Sequence, residues 1–586
     1  MSILSLHAIS IERTILPCSS MSNTSSGALN NAPTSALGLW QVQLLPSKTT
    51  TCAILFLLTF LHYLHRFIRI ILKKYRFEAF ARAHACLPVP HAANPFPMPW
   101  SLNRKYEVYK ASVRGDLFEG HFSRVYRRYG KTHAIISSFT HSQKGINTIE
   151  PANIQTVLAT RFDDYKRPEF RSLAAQPMLL PGLFTTDGPV WAHWRGMVRP
   201  QFTRRRFDTN LADSERHMQL VFKALGKTGS DGWTEDVDML DHLYRFTMDT
   251  ATQFLFGRSA ETQKAALVRA GKLPASAQRP SALDGFDERF ITAGGYVGHR
   301  IKLSNMYWVY DGFTFRKACR DLYSMVDAYV TEVRANGKAR MATNIDAGIK
   351  EKTPNNVLEE MEAQGASQRD MVEQVMHLLV AGMDTSAAAL GWVMAMLAAQ
   401  PDTYARLRQE VLTVFGREKE PRAADHFTLE ALKSCSYLQW CLNETLRLFP
   451  AGPINVREAV RDTVLPVGGG PDGKGPVAVA KGARVQLGTY LAHRRKDLWG
   501  EDADDFRPAR WEGRRRGWEF TPFSGGPQIC VGQGYSMAQL SFAVARLAMH
   551  YDKIEPSEGS DNEKRCWMTV LTPGAGVKVR LHVAAA

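Results

Sequence analysis

The chain has 586 residues, of which 45% are hydrophobic and 22% charged, enough apolar material for a large core. Its formal net charge is +16, from 73 basic and 57 acidic side chains, which favours anionic partners such as a membrane surface or an acidic protein. The basic residues lack the long Lys/Arg blocks interleaved with aromatics that would point to nucleic acid, so no nucleic-acid partner is expected. The cysteines, at 18, 52, 86, 319, 435, 441, 530 and 566, form no C-x-x-C pair, which suits a reducing compartment rather than a disulfide framework or zinc site.

Residues 1–36 are rich in Ser, Thr, Ala and Asn and poor in charge, and read as a disordered N-terminal segment. Residues 37–76 read as a membrane anchor. Within them "TTTCAILFLLTFLHYLH", Thr49 to His65, carries no formally charged side chain and is at the short end for spanning a bilayer. Arg66, Arg69, Lys73, Lys74 and Arg76 follow directly, which by the positive-inside tendency leaves the rest of the chain in the cytosol. A cleaved secretory signal would want a basic region before the apolar run and a small-residue cleavage site after it; both are missing. Residues 77–100, with "LPVPHAANPFPMPW" from Leu87 to Trp100, read as a stiff proline-rich linker. No repeat or composition break divides residues 101–586, which are expected to form one large domain.

In "DGPVWAHWRGMVRPQF", Trp191 and Arg195 lie four apart on one helical face, which suits equally a core tryptophan under a surface arginine. The segment from Ser367 to Pro401 reads as a helix of about 33 residues, opened by a Ser367/Asp370 capping box and stopped by Pro401. Its middle is apolar all round yet holds Gly382, Asp384, Thr385 and Ser386. A mid-helix glycine costs about 1 kcal/mol and a buried carboxylate more, so breaking both rules together suggests a functional site. In "SYLQWCLNETLRLFP", Glu444 and Arg447 share a helical face and by spacing alone form a solvated surface pair. "DDFRPARWEG" has turn chemistry with Arg507 and Arg510.

Near the C-terminus, "FSGGPQICVGQG" sets glycines 525, 526, 532 and 534 and Pro527 around Cys530, just before an apolar helical pattern. Glycines let backbone approach a bulky partner and turn its N–H groups inward. A cysteine ahead of a helix N-terminus feels the positive end of the dipole, and a thiolate cradled by N–H donors is a good soft ligand for iron. A buried structural cysteine would leave the glycines unexplained.

Taken together and in this order, these stretches resemble the cytochrome P-450 superfamily of haem-thiolate monooxygenases over residues 100–580. The signature loop F-x-x-G-x-R-x-C-x-G is matched by Phe523, Gly526, Cys530 and Gly532. The resemblance implies a mainly α fold with small β-sheets: a single haem domain behind an N-terminal anchor. It implies haem b, with Cys530 as the axial ligand to its iron. E-x-x-R falls on Glu444 and Arg447 and P-x-R on Arg510, which in relatives form a buried ion network and so displace the surface-pair reading. A-G-x-D-T falls on Ala381, Gly382, Asp384 and Thr385, the last two implied as catalytic. Trp191, Arg195 and Arg457 are implied near the haem propionates, with Phe523 and Gln528 in the cofactor loop. Two positions depart from the pattern: Gln528 replaces the loop arginine, and Ala509 stands where glutamate is common. Gln528 brings no charge to a propionate, so somewhat weaker haem retention is expected.

Several stretches resemble the fungal branch that hydroxylates n-alkanes and fatty acids, and related fungal enzymes oxidise polyketide or lipid-like chains. The implied reaction uses O2 and electrons from NADPH through a membrane-bound reductase. It implies a lipophilic substrate and a single-pass anchor in the endoplasmic reticulum. Substrate contacts are expected from Ser172–Phe184, Phe286–His299, Met383, Ala451–Val456 and Met568–Thr572. The competing readings are a haem-thiolate isomerase or dehydratase needing no reductase, and a haem-free tethered scaffold.

Overall fold

The computed structural model describes residues 48–92, 102–136, 143–226, 229–277, 282–346, 356–417, 427–561 and 564–584. The reading of residues 1–36 and most of the proline-rich stretch fall outside these. The chain divides into two units, up to Ile68 and Arg69–Ala586. Helix α1, Lys48–Ala83, runs through 36 residues rather than the shorter apolar run alone. The basic flank and the residues after it, through Ala83, hold no Gly or Pro, so nothing in the sequence stops the helix there. The Thr51–Ala83 stretch contains an 18-residue window of mean hydropathy 1.6, none of it buried. In the first unit Phe56 and Tyr63 are 75% and 64% exposed, respectively, which no water-soluble helix gains by.

The second unit is mainly helical, as the sequence suggests, with small sheets at its edges. The largest sheet has six strands: β1 (His91–Ala92), β2 (Thr132–Ile136), β3 (Gln143–Thr148), β4 (Tyr165–Lys166), β5 (Asn455–Ala459) and β6 (Arg484–Leu487), ordered β1-β2-β3-β6-β5-β4. Strands β5 and β6 run antiparallel with Arg457 opposite Val485. Two short helices follow β4: α2 (Glu169–Ala175) and α3 (Gly188–Val198). Further on come α4 (Met239–Phe256) and α5 (Phe286–Leu303).

Helix α6, Gln368–Ala399, starts at the anticipated capping box, in which Ser367 accepts from the Asp370 N–H and Asp370 accepts in return. It reaches the hydropathy of a membrane span, at 1.4, but 72% of that window is buried, so it is the core helix of the unit. Helix α4 packs along it closely at Gly391, where a Cβ would stand 2.8 Å from Leu240 Cδ1. Trp392 is fully buried, stacks on Phe449 at 4.0 Å and donates its indole N–H to the Leu571 carbonyl at 3.1 Å. Helix α7 (Ser436–Leu448) buries its apolar face beside α6, and α8 (Gln533–His550) follows the cysteine loop. A hairpin, β7 (Arg565–Trp567) with β8 (Leu571–Pro573), lies near the C-terminus.

Because Trp392 supplies both a stacked face and a satisfied N–H, Trp392→Ala is expected to lower unfolding stability by about 3–5 kcal/mol. A guanidinium chloride titration showing less than about 1 kcal/mol would contradict this placement of the core.

Candidate active site

The segment before α8 leaves regular structure at Phe523. Gly526 takes φ +66°, and a Cβ there would meet the Leu158 carbonyl oxygen at 1.8 Å, so only glycine fits. A 3-10 turn, Gly526–Gln528, then carries the chain to Cys530, whose N–H donates to the Phe523 carbonyl at 3.0 Å. The thiol opens into a cavity shared with Leu158, Ala251, Phe254, Leu378, Ala389 and Leu446, an apolar lining. Burial pushes the Cys530 thiol up, while the Gly532 N–H and the Arg195 guanidinium pull it down. The expected thiolate is therefore not the resting state of the bare thiol; a coordinated metal's own charge would deprotonate it.

The opposite wall belongs to α6. Gly382 and Thr385 line the cavity, and the Thr385 hydroxyl donates to the Ala381 carbonyl at 2.5 Å. Asp384 turns away, towards α4: its Oδ1 accepts from the Tyr244 hydroxyl at 2.9 Å and its Oδ2 from the Thr569 hydroxyl at 3.3 Å. Burial raises the Asp384 carboxyl, and these two hydrogen bonds oppose the rise. Thr385 and Asp384 are thus neighbours in sequence facing different surroundings. Tyr244 and Thr569 lie far from them in sequence, and no local pattern announces them.

Part of the cavity lining is cationic. Trp191 and Arg195, on α3, line it together, as do Gln528 and two residues the sequence reading missed, Arg167 and Arg171. Gln528 does not stand alone as a weakened arginine. Its Oε1 accepts from Arg457 Nη2 at 2.9 Å and its Nε2 donates to Asp187 Oδ1 at 3.1 Å. Asp187 also accepts from the Arg167 N–H at 2.8 Å, and its carboxylate does not cap α3. A glutamine can accept and donate at once, whereas an arginine at 528 would present a second guanidinium to Arg457. Burial, together with the nearby Arg167 and Arg171, brings Arg457 down to about 9, and its Nε is buried without a partner.

Behind the cysteine loop lies the ion network. Glu444 and Arg447 are fully buried and doubly bonded, at 2.8 and 2.9 Å, and the Arg510 Nε donates to Glu444 at 2.7 Å. The surface pair suggested by spacing is absent; burial is possible because every polar atom finds a partner. The Trp511 indole and the Arg507 N–H also donate to Glu444, at 3.0 and 2.9 Å. Arg447 donates to the carbonyls of His493, Ala503 and Asp505. His493 passes this order on: its Nε2 accepts from the Thr521 N–H at 3.0 Å, two residues before Phe523. An amide N–H can only donate, so the ring proton is on Nδ1, bonded to the Arg447 carbonyl at 3.0 Å. Burial holds His493 down to about 3, keeping it neutral.

Of the expected substrate-contact segments, Leu183, Phe184, Ala451, Gly452, Ile454 and Asn455 line the cavity. Met383, α5 and residues 568–572 contribute no lining side chain. Helix α5 instead closes on the hairpin, where a Cβ at Gly298 would meet Met568 at 2.9 Å. Arg514 stacks over Trp499 at 4.1 Å and bonds the Leu498 carbonyl. Among the described residues no group of His, Cys, Asp and Glu is arranged to hold a metal ion by itself. The donor set fits haem: one soft sulfur in a largely apolar cavity, guanidinium and indole donors on the same lining, and a backbone approach that excludes any Cβ at 526.

Two outcomes follow from this geometry. Glu444→Gln keeps the shape but leaves the buried Arg447 uncompensated and Arg510 with Asp502 alone, and should cost about 3–5 kcal/mol in a denaturant titration. Gln528→Leu strands Arg457 Nη2 and takes one donor from Asp187, and should cost about 1–3 kcal/mol; wild-type stability in that variant would show that the bridge does nothing.

The sequence profile of the family described as Cytochrome P-450 matches residues 110–581. A cytochrome P-450 monooxygenase (g430) from a Fusarium species is 39% identical over 418 residues, covering 70% of this chain and 71% of its own. The cytochrome P-450 monooxygenase alt2 of Alternaria solani is 34% identical over 529 residues, covering 86% and 94%. Cytochrome P-450 52A13 of Debaryomyces hansenii is 36% identical over 411 residues, covering 70% and 76%. With the thiol loop, the apolar cavity and the buried ion network in one unit, these matches settle the family: the chain belongs to the cytochrome P-450 monooxygenases.

Proposed function

We propose that this monooxygenase hydroxylates a long aliphatic chain, that Cys530 would hold haem b through its sulfur, and that electrons come from NADPH through a membrane-bound reductase. The carrying observation is that Cys530 and Thr385 open onto the same largely apolar cavity, whose lining also holds Arg167, Arg171 and Arg195. When bound, haem supplies the redox-active iron that uses dioxygen to oxidise a C–H bond. The chain's own residues position, shield and protonate. Gly526 and the Cys530 N–H bond fix where the sulfur stands, and the fully buried Glu444–Arg447 pair steadies the segment that leads into this loop. Trp191, Arg195 and, through Gln528, Arg457 orient the propionate side.

Thr385 Oγ1 holds a proton now given to the Ala381 carbonyl and can redirect it into the cavity by rotating χ1. Asp384, raised by burial, accepts from the Tyr244 and Thr569 hydroxyls on the α4 side of α6, and as the catalytic partner of Thr385 would hold or release a proton at its carboxylate oxygens. An apolar lining with few polar groups suits an aliphatic chain, in keeping with the resemblance to the alkane and fatty-acid branch. The exposed apolar part of α1 and its basic flank support a single-pass anchor in the endoplasmic reticulum with the catalytic unit in the cytosol.

The ferrous carbonyl complex of the purified protein should show a strongly red-shifted Soret band that Cys530→Ala abolishes. An unshifted band in wild type would sink the assignment of the ligand. Microsomes holding the protein and a reductase should hydroxylate dodecanoic acid or dodecane only with NADPH. Turnover of a substrate without NADPH would favour an isomerase or dehydratase.

A further inference from the structure

The cationic part of the cavity lining holds more positive charge than the haem reading consumes. Four guanidinium groups gather there: Arg167, Arg171 and Arg195 on the wall, and Arg457 behind Gln528. Among the described residues the one carboxylate bonded to any of them is Asp187, which takes Arg167. Haem brings two propionates, and its ferric charge is cancelled by the porphyrin dianion and the Cys530 thiolate. One guanidinium is left over. No carbonyl, carboxylate or hydroxyl of the described residues accepts from the side chain of Arg171 or of Arg195; the haem reading above gives Arg195, which shares a helical face with Trp191, to the propionate side, and Arg171 remains. It is part-buried, it lines the cavity, and burial disfavours its charged form. Arg167 and Arg457 both feel it as a like charge. A buried cation with no anion is costly, so a site that keeps one is built for an anion that arrives.

Accepting the haem and aliphatic-chain reading above, we infer that Arg171 anchors a carboxylate of the substrate, so that the preferred substrate is a free acid rather than a hydrocarbon or an ester. Arginine's planar fork suits that partner, since two parallel N–H donors match two carboxylate oxygens. The neighbouring lining, Leu183, Phe184 and Leu487, offers an apolar path for the chain behind the head group. Gln528 contributes by specificity of charge: an arginine in its place would add a fifth guanidinium for the substrate and the propionates to share.

The test uses the purified holoenzyme and optical titration of the Soret shift with dodecanoate, methyl dodecanoate and dodecane, and with 4-phenylbutyrate and its methyl ester. The acid should bind about tenfold or more tightly than its ester in both pairs, as a hydrogen-bonded charge pair predicts. Arg171→Gln should bring acid and ester level, and Arg171→Lys should keep part of the preference. Haem transfer to apomyoglobin should run at the same rate in all three proteins. Equal affinities in wild type, no response to any acid, a preference that survives Arg171→Gln, or faster haem loss in that variant would overturn the inference; the last would give Arg171 to a propionate. Failure of the aliphatic reading looks different: the acid preference persists while the dodecyl probes bind no better than the phenyl ones.

Discussion

A single buried carboxylate organises the region around the cysteine. Glu444 accepts from two guanidinium groups, an indole and a backbone N–H, with every donor within 3.0 Å. Such a cluster is stable only as a complete set, because each unpaired member would carry the full penalty of a buried charge. Its order is handed on by Arg447 to the His493 carbonyl, and by the His493 ring to the Thr521 N–H, so the loop bearing Cys530 starts from a fixed point. The histidine can serve as this link because burial keeps it neutral, with one acceptor and one donor nitrogen facing opposite partners.

On this foundation the cavity has two chemically different sets of lining side chains. Around the thiol the side chains are apolar, and the close backbone approach at Gly526 leaves no room for substitution. In the other set the guanidinium groups repel one another, which the lowered Arg457 reflects, and Asp187 offsets only part of that charge. Gln528 separates Arg457 from the rest by bonding it on one side and Asp187 on the other. A neutral amide there makes sense only in this company: it joins a cation to an anion without adding charge of its own.

Much of this was legible in the sequence, and the exceptions share a cause. The Ser367–Asp370 cap and the thiol loop are local signals, read from residues a few positions apart. Helix α6 was legible too, because an all-round apolar pattern with polar intruders marks a core helix. Glu444 and Arg447 mislead a local reading, since the same three-residue spacing serves a solvated pair and a buried one. Burial there depends on Arg510, Trp511 and His493, which are distant in the chain. Arg167, Arg171 and Tyr244 were missed for the same reason: each gains meaning only from what the fold sets beside it. The helix from Phe286 and the 568–572 turn were expected at the cavity, but they pack on each other at Gly298 instead. Helix α1 outran its apolar stretch because helix propensity does not end where hydrophobicity does.

The central claim is that Cys530, fixed by the Glu444 network, binds the iron through sulfur. Iron K-edge X-ray absorption on the purified holoprotein tests it most directly. The account predicts one sulfur scatterer on iron in wild type, replaced by nitrogen or oxygen in Cys530→His. Coordination by nitrogen and oxygen alone in the wild-type protein would contradict it.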